Sequence, residues 1–164
     1  MKIYLVRHPE TIRNEEDKIT GWEDSDYTEN GKKQFEKILK FFKGFKEDIY
    51  TSDLDRCLKL AKAISKQNNS KLIVTGLLRE QNFKETLPLG SFETENDAKK
   101  RVIKFFKEYK VEKGIIVSHA GLIKEIMRDF LDEDELKEHV ASPRDTIFVI
   151  ERNKKTKSIN RIRV

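Results

Sequence analysis

The chain has 164 residues, the size of one domain whose core needs no disulfide or metal staple. Charged residues make up 38% and apolar residues 37%, with a net charge of +5, so a small core under a solvated, ion-paired surface is expected and no run approaches transmembrane length. The single cysteine, Cys57, excludes an internal disulfide, permits a reducing compartment and reads as a small packing residue on a helix.

The elements follow in chain order. Lys2 to Val6 is a short apolar run with β-branched and aromatic content, the pattern of a buried parallel strand, and it delivers Arg7-His8 into the next loop. A polar loop from Glu10 to Asp26 leads to a helix that Thr28 or Asn30 caps, with Phe35, Ile38, Leu39 and Phe42 at helical spacing. Asp48 to Thr51 reads as a strand; Ser52 or Asp53 then caps a helix with Leu54, Leu58, Ala61 and Ile64 on one face, broken at Gln67 to Ser70. Lys71 to Val74 is another strand. Gln81 to Asn96 holds Pro88 and Gly90 with little periodicity and is expected to be an irregular loop or short cap, before a helix over Asp97 to Lys110. Gly114 to Val117 is a strand ending in Ser118-His119, Gly121 to Leu131 a helix, and Thr146 to Glu151 a strand. Ile159 to Val164 is its hairpin partner across Asn153-Lys154-Lys155. Alternating strands and helices without a linker or repeat imply one α/β domain over 1–164 with a mostly parallel sheet.

The basic balance is spread, with lysines alternating with glutamates along Asn30 to Lys43 and Asp97 to Lys110, so neither a nucleic-acid nor a membrane partner is expected. A modest positive field would instead draw anionic, phosphorylated substrates to a pocket. The sequence opens directly on a strand with no basic leader or apolar h-region, which makes the cytoplasm the expected location.

Two of the three histidines, His8 and His119, follow strand ends, the edge at which ligands bind in open α/β sheets. Arg7 beside His8, and Arg56 at a helix start, add fixed positive charge. The guanidinium fork donates paired hydrogen bonds to phosphate oxygens, and a nucleophilic imidazole must be neutral to attack phosphorus. The helix beginning at Ala120 would add amide donors and the positive end of its dipole. Taken singly, a histidine after a strand is usually a hydrogen-bonded loop residue, and a lone arginine a surface ion pair. His139 lies in an acidic, polar stretch and reads as a surface residue. No cysteine–histidine cluster, phosphate loop or dinucleotide glycine pattern is present, so neither metal nor cofactor is indicated.

The order of these residues adds a resemblance. Leu5 to Asn14, with Arg7-His8-Pro9-Glu10-Thr11-Ile12-Arg13-Asn14, closely resembles the opening signature Arg-His-Gly-x-Thr-x-x-Asn of the histidine phosphatase superfamily, also called phosphoglycerate mutase-like. The likeness continues through Thr20-Gly21-Trp22, Tyr27 to Gln34, Tyr50 to Arg56, Leu78-Arg79-Glu80 and Val117 to Gly121, in the family's order and over nearly the whole chain. It implies a three-layer α/β/α fold. His8 would be the nucleophile, Arg7, Asn14, Arg56 and His119 would hold the phosphoryl oxygens, and Glu80 would donate the proton to the leaving group. Thr20, Gly21 and Trp22 are candidates for the pocket, although Trp22 suits packing against the sheet equally well.

The activity implied is metal-independent hydrolysis of small phosphate monoesters through a phosphohistidine. Two departures bear on it. Pro9 replaces the family glycine, removing an amide and stiffening the loop. After Glu80 the family's Gly-x-x-Glu-Gly is only partly echoed, which leaves Glu85 as a lesser candidate acid. The alternatives are mutase-type transfer, for which the short stretch 81–96 is a small cap, and protein-phosphohistidine dephosphorylation, whose small family members generally lack the acid. A third is a binding module disabled by Pro9.

Overall fold

In the computed structural model, the described residues are 1–82, 92–131, 134, 136, 143–153 and 156–164. Six strands form one sheet: β1 (Lys2–Arg7), β2 (Ile49–Thr51), β3 (Leu72–Val74), β4 (Lys113–Ser118), β5 (Thr146–Arg152) and β6 (Lys157–Arg163). Their order is β3-β2-β4-β1-β5-β6. β3, β2, β4 and β1 run parallel, whereas β5 and β6 add an antiparallel flank. The helices are α1 (Ile12–Glu15), α2 (Glu29–Phe41), α3 (Asp55–Asn68), α4 (Glu95–Tyr109) and α5 (Ala120–Met127).

The period-2 alternation of the strands feeds two separate cores. Ile3, Leu5, Ile116, Phe148 and Ile150 face Ala98, Val102 and Phe105 of α4 and Leu122, Ile123 and Ile126 of α5. From the opposite face, Val6, Ile115, Val117 and Ile147 meet Ile38 of α2 and Cys57, Leu60, Ala61 and Ile64 of α3. The architecture is therefore α/β/α, with helices on both faces of a mostly parallel sheet, as the sequence implied. No helix among the described residues is long and apolar enough to cross a membrane.

Several boundaries differ from the sequence reading, and at the helix starts the reason is capping. The loop from Glu10 to Asp26 contains α1, opened by a capping box between buried Thr11 and Asn14. Thr28, not Asn30, caps α2 by accepting from the Gly31 amide at 2.9 Å. Gly31 is required there, since a Cβ would lie 2.0 Å from the Glu10 carbonyl oxygen. At the start of α3, Ser52 takes only the Leu54 amide and Asp53 turns away to Arg79; the helical amides of Asp55 and Arg56 donate to Asp24, 31 and 32 residues upstream. α4 begins earlier than expected because Thr94 and Asp97 form a second capping box. α5 stops at Met127, short of Leu131, and β6 starts at Lys157. Glu85, Pro88, Gly90, His139, Lys154 and Lys155 lie outside the described residues, as does the middle of the expected cap.

Candidate active site

β1 and β4 are adjacent parallel strands in register Arg7 to Ser118, so the chain leaves both at the same height and the same edge. The His8 amide donates to the Ser118 carbonyl at 3.0 Å, which extends the ladder one residue and sets the two histidines side by side. Their rings lie 5.2 Å apart, and both are buried. A cavity of about 210 Å³ opens beside them, lined by Arg7, His8, Asn14, Lys18, Ile19, Thr20, Gly21, Arg56 and Glu80.

His8 Nδ1 lies 2.7 Å from the Pro9 carbonyl oxygen. A carbonyl only accepts, so Nδ1 carries the proton and Nε2 keeps its lone pair. Proline lacks an amide but retains this carbonyl, so the departure at position 9 leaves the tautomer control intact. Burial, then the charges of Arg56 and Arg7, hold His8 well below the usual imidazole pKa. Burial, Arg56 and His8 do the same to His119. Both imidazoles are therefore neutral at pH 7, and His119 contributes as a hydrogen-bonding ring rather than as a fixed cation. Cys57, the residue after Arg56, packs under this pair: its thiol is 3.4 Å from His119 Nε2 and 3.4 Å from the Ser118 carbonyl, and burial pushes its pKa up, so it stays a protonated thiol.

Arg56 is 1% exposed, and its fork is fixed by residues that precede it by a helix and a strand. Nη1 donates to the Glu23 carbonyl at 2.7 Å and pairs with Asp24 at 2.8 Å, while Nη2 donates to the Gly21 carbonyl at 2.6 Å. Asp24 thus caps α3 and steers its first arginine at once. Arg56 Nε is buried with no hydrogen-bond partner among the described residues, a donor for which an anion is the natural partner. Arg7 is lowered to about 10 by burial and by the nearby charge of Arg144, and remains protonated at neutral pH. Arg144 sits at the turn just before β5, whose antiparallel register with β1 brings that end to the same edge.

Asn14 accepts from the Thr11 amide at 3.2 Å and hydroxyl at 3.0 Å, and its Nδ2 reaches the Thr20 hydroxyl at 3.4 Å, tying α1 to the cavity wall. Glu80 faces the cavity from the other side. Its Oε1 accepts from the Gln81 amide at 2.9 Å and its Oε2 from the Gly121 amide at 3.2 Å. The N-terminus of α5, expected to serve the phosphate, is in part taken by this carboxylate. Gly121 makes that possible, because a Cβ would meet Glu80 Oε1 at 2.5 Å.

Among the pocket candidates, Thr20 and Gly21 line the cavity and Trp22 does not. Its indole donates to the Glu80 carbonyl at 2.8 Å, and Arg79 lies 4.7 Å from its ring centre, which makes Trp22 a support for Glu80. Lys18 and Ile19 line the cavity and were missed, since a short polar loop carries no periodicity that would single them out. Asp24 and Arg144 were missed because their partners are distant in sequence.

At the carboxyl ends of β1 and β4, His8, Arg7, Arg56 and Glu80 line one cavity, and His119 packs against His8 outside that lining, an arrangement of buried positive charge and imidazole suited to an anion such as phosphate. The model of the histidine phosphatase superfamily (branch 1) matches residues 3–90, more than half of the chain, and the chain belongs to this superfamily. It is 29% identical over 155 residues to a protein of Hydrogenobacter thermophilus named "Putative phosphoserine phosphatase 2", covering 77% of this chain and 76% of that one. A 2,3-bisphosphoglycerate-dependent phosphoglycerate mutase of Wigglesworthia glossinidia brevipalpis is 36% identical over 76 residues, which span 44% of this chain and 32% of the mutase. The fold is that of the α-ribazole phosphatase from Shigella flexneri, with a TM-score of 0.79 at 18% identity, over 100% of this chain and 96% of that structure.

Proposed function

We propose that the chain is a single-domain phosphatase that hydrolyses small phosphate monoesters, without a metal, through a phosphohistidine on His8. The observation that carries this reading is the His8 Nδ1 contact with the Pro9 carbonyl at 2.7 Å in a ring held neutral, since it leaves Nε2 aimed as a nucleophile at pH 7.

The substrate phosphoryl group sits among Arg7, Asn14, Arg56 and His119. Nε2 of His8 attacks phosphorus in line, the P–O bond to the leaving group breaks, and charge spread over the three equatorial oxygens is met by the two guanidinium groups and the His119 ring N–H. Glu80 acts as the acid and gives a proton to the departing oxygen. As a carboxylate it then takes a proton from water, which attacks the phosphohistidine, releases inorganic phosphate and restores neutral His8. The arginines supply the positive charge that metal ions supply in other phosphoryl-transfer enzymes.

The relatives' names cover phosphoserine phosphatase and α-ribazole phosphatase, both acting on alkyl esters, which need protonation of the leaving oxygen and so suit a chain that carries Glu80. Hydrolysis is favoured over mutase-type transfer because the phosphatase-named relative is covered over 76% of its length, against 58% and 32% for two mutase-named relatives. The partner is accordingly a small phosphate ester in the cytoplasm. The test is phosphate release from p-nitrophenyl phosphate with excess chelator. The expected outcome is chelator-resistant turnover that falls by on the order of 10⁴-fold in His8→Ala. Undiminished turnover in His8→Ala, or activity abolished by chelator, would overturn the proposal.

A further inference from the structure

The stretch that carries Glu80 raises a structural problem. After the 3₁₀ turn Gly76–Leu78, residues 79–82 belong to no helix or strand, so no ladder satisfies or fixes their backbone. An acid that must meet a leaving oxygen to within a fraction of an ångström nonetheless hangs from this irregular peptide.

Glu93 and Arg101 supply what a ladder would. Arg101, on the second turn of α4, donates Nη1 to the carbonyls of Leu77 at 3.0 Å and Arg79 at 2.9 Å, and Nη2 to the carbonyl of Glu80 at 3.2 Å. The other edge of its fork grips Glu93 through two contacts, Nε to Oε1 at 2.7 Å and Nη2 to Oε2 at 2.8 Å. Glu93 in turn binds the residues that follow the acid. Its Oε2 accepts from the Asn82 amide at 3.1 Å, its amide donates to the Asn82 carbonyl at 3.0 Å, and its carbonyl accepts from the Gln81 side chain at 2.8 Å. Both side chains are largely buried, at 16% and 12% exposure, where a bidentate pair is held firmly.

We infer that Glu93 and Arg101 are a positioning pair for Glu80: a buried, net-neutral clamp that fixes the acid's peptide from both sides and so sets the distance between its carboxyl and the leaving group. The inference rests on Glu80 being the proton donor. The clamp also joins residue 82 to residue 93.

The test exploits leaving-group chemistry. Breaking the ester bond of phenyl phosphate needs protonation far more than breaking that of p-nitrophenyl phosphate, and kcat/KM reports that first step even if phosphohistidine hydrolysis limits kcat. Arg101→Lys keeps a cation for Glu93 but loses the fork; it is expected to lower kcat/KM about tenfold on phenyl phosphate and less than about threefold on p-nitrophenyl phosphate. In a Glu80→Ala background the same change is expected to cost under about twofold on either ester, because no acid is left to misplace. Selective loss in Glu80→Ala alone, with equal losses on both esters in Arg101→Lys, would overturn the clamp and leave Glu80 as the acid. Equal losses on both esters in Glu80→Ala would overturn the acid assignment and the clamp together. Glu93→Gln, which preserves shape and polarity, is run in parallel. If both single variants lose the fold by thermal melting, the pair is a structural ion pair and the positioning role falls.

Discussion

The two ends of the central strands handle charge in opposite ways. At the amino end of β1, Lys2 pairs with Glu151 at 2.8 Å and the chain's amino group lies 3.5 Å from Glu112, opposite charges paired at the surface. At the carboxyl end of the same strand, Arg7, Arg56 and Arg144 gather about the buried His8, and burial, then like charge, depresses the protonation of Arg7 and His8. Left empty, such an arrangement is unfavourable, since each cation raises the cost of the others. A phosphate dianion bound there, as proposed, would attract each of those cations and so offset their mutual repulsion. One sheet therefore has an end where charges are paired at the surface and an end where like charges are buried together, and the difference lies in burial rather than in residue type.

The sharpest way to break the contrast is Arg56→Lys. Lysine keeps the charge but cannot reproduce the fork that reaches Gly21, Glu23 and Asp24, and a loss of about 10²- to 10³-fold in kcat/KM is expected on any phosphate ester. A loss under tenfold would mean that charge alone, without geometry, makes the site.

The second test is the pH dependence of stability. His8 and His119 have folded pKa values below their unfolded value of about 6.5, so as pH falls through about 6.5 the unfolded chain takes up protons that the folded chain refuses. Stability contributed by the neutral buried rings is complete above that pH and is lost below it, with a slope approaching about 1.4 kcal/mol per pH unit for each histidine. Thermal melts from pH 7 to 5 should show it, and His119→Phe should reduce the slope. A melting temperature flat over that range would contradict the burial argument.

The smallest effect is expected at the other end of the sheet. Lys2→Gln removes an exposed ion pair, and both turnover and melting temperature should stay within error of the parent. A clear loss of activity there would show that the two ends are coupled through β1.

Much of the fold was legible because its signals are short-range. Short apolar runs marked β1 and β4, and the helical spacing of Ile38, Ala61 and Ile64 marked the inward faces of α2 and α3. Arg7, His8 and His119 were legible because strand ends put them at one edge, and Arg56 and Glu80 because of their motifs. What escaped was supplied from afar. The cap of α3 comes from Asp24, Trp22 turns out to support Glu80 rather than line the cavity, and Thr94 starts a helix inside a stretch that reads as loop. Lys18 and Ile19 enter the cavity wall only because α1 folds the loop back on itself.

The sequence by itself determined the order of strands and helices and which chemistry-bearing residues lie at which strand end, since both follow from the periodicity of neighbouring residues. Only the tertiary structure decided that both imidazoles are neutral, that Nε2 of His8 is the free nitrogen, and that Glu80 rests on the Gly121 amide 41 residues away. The reason is physical: protonation, tautomer and side-chain aim are set by the charges and donors within a few ångströms, and at this site most of those neighbours arrive from distant segments once the sheet has assembled.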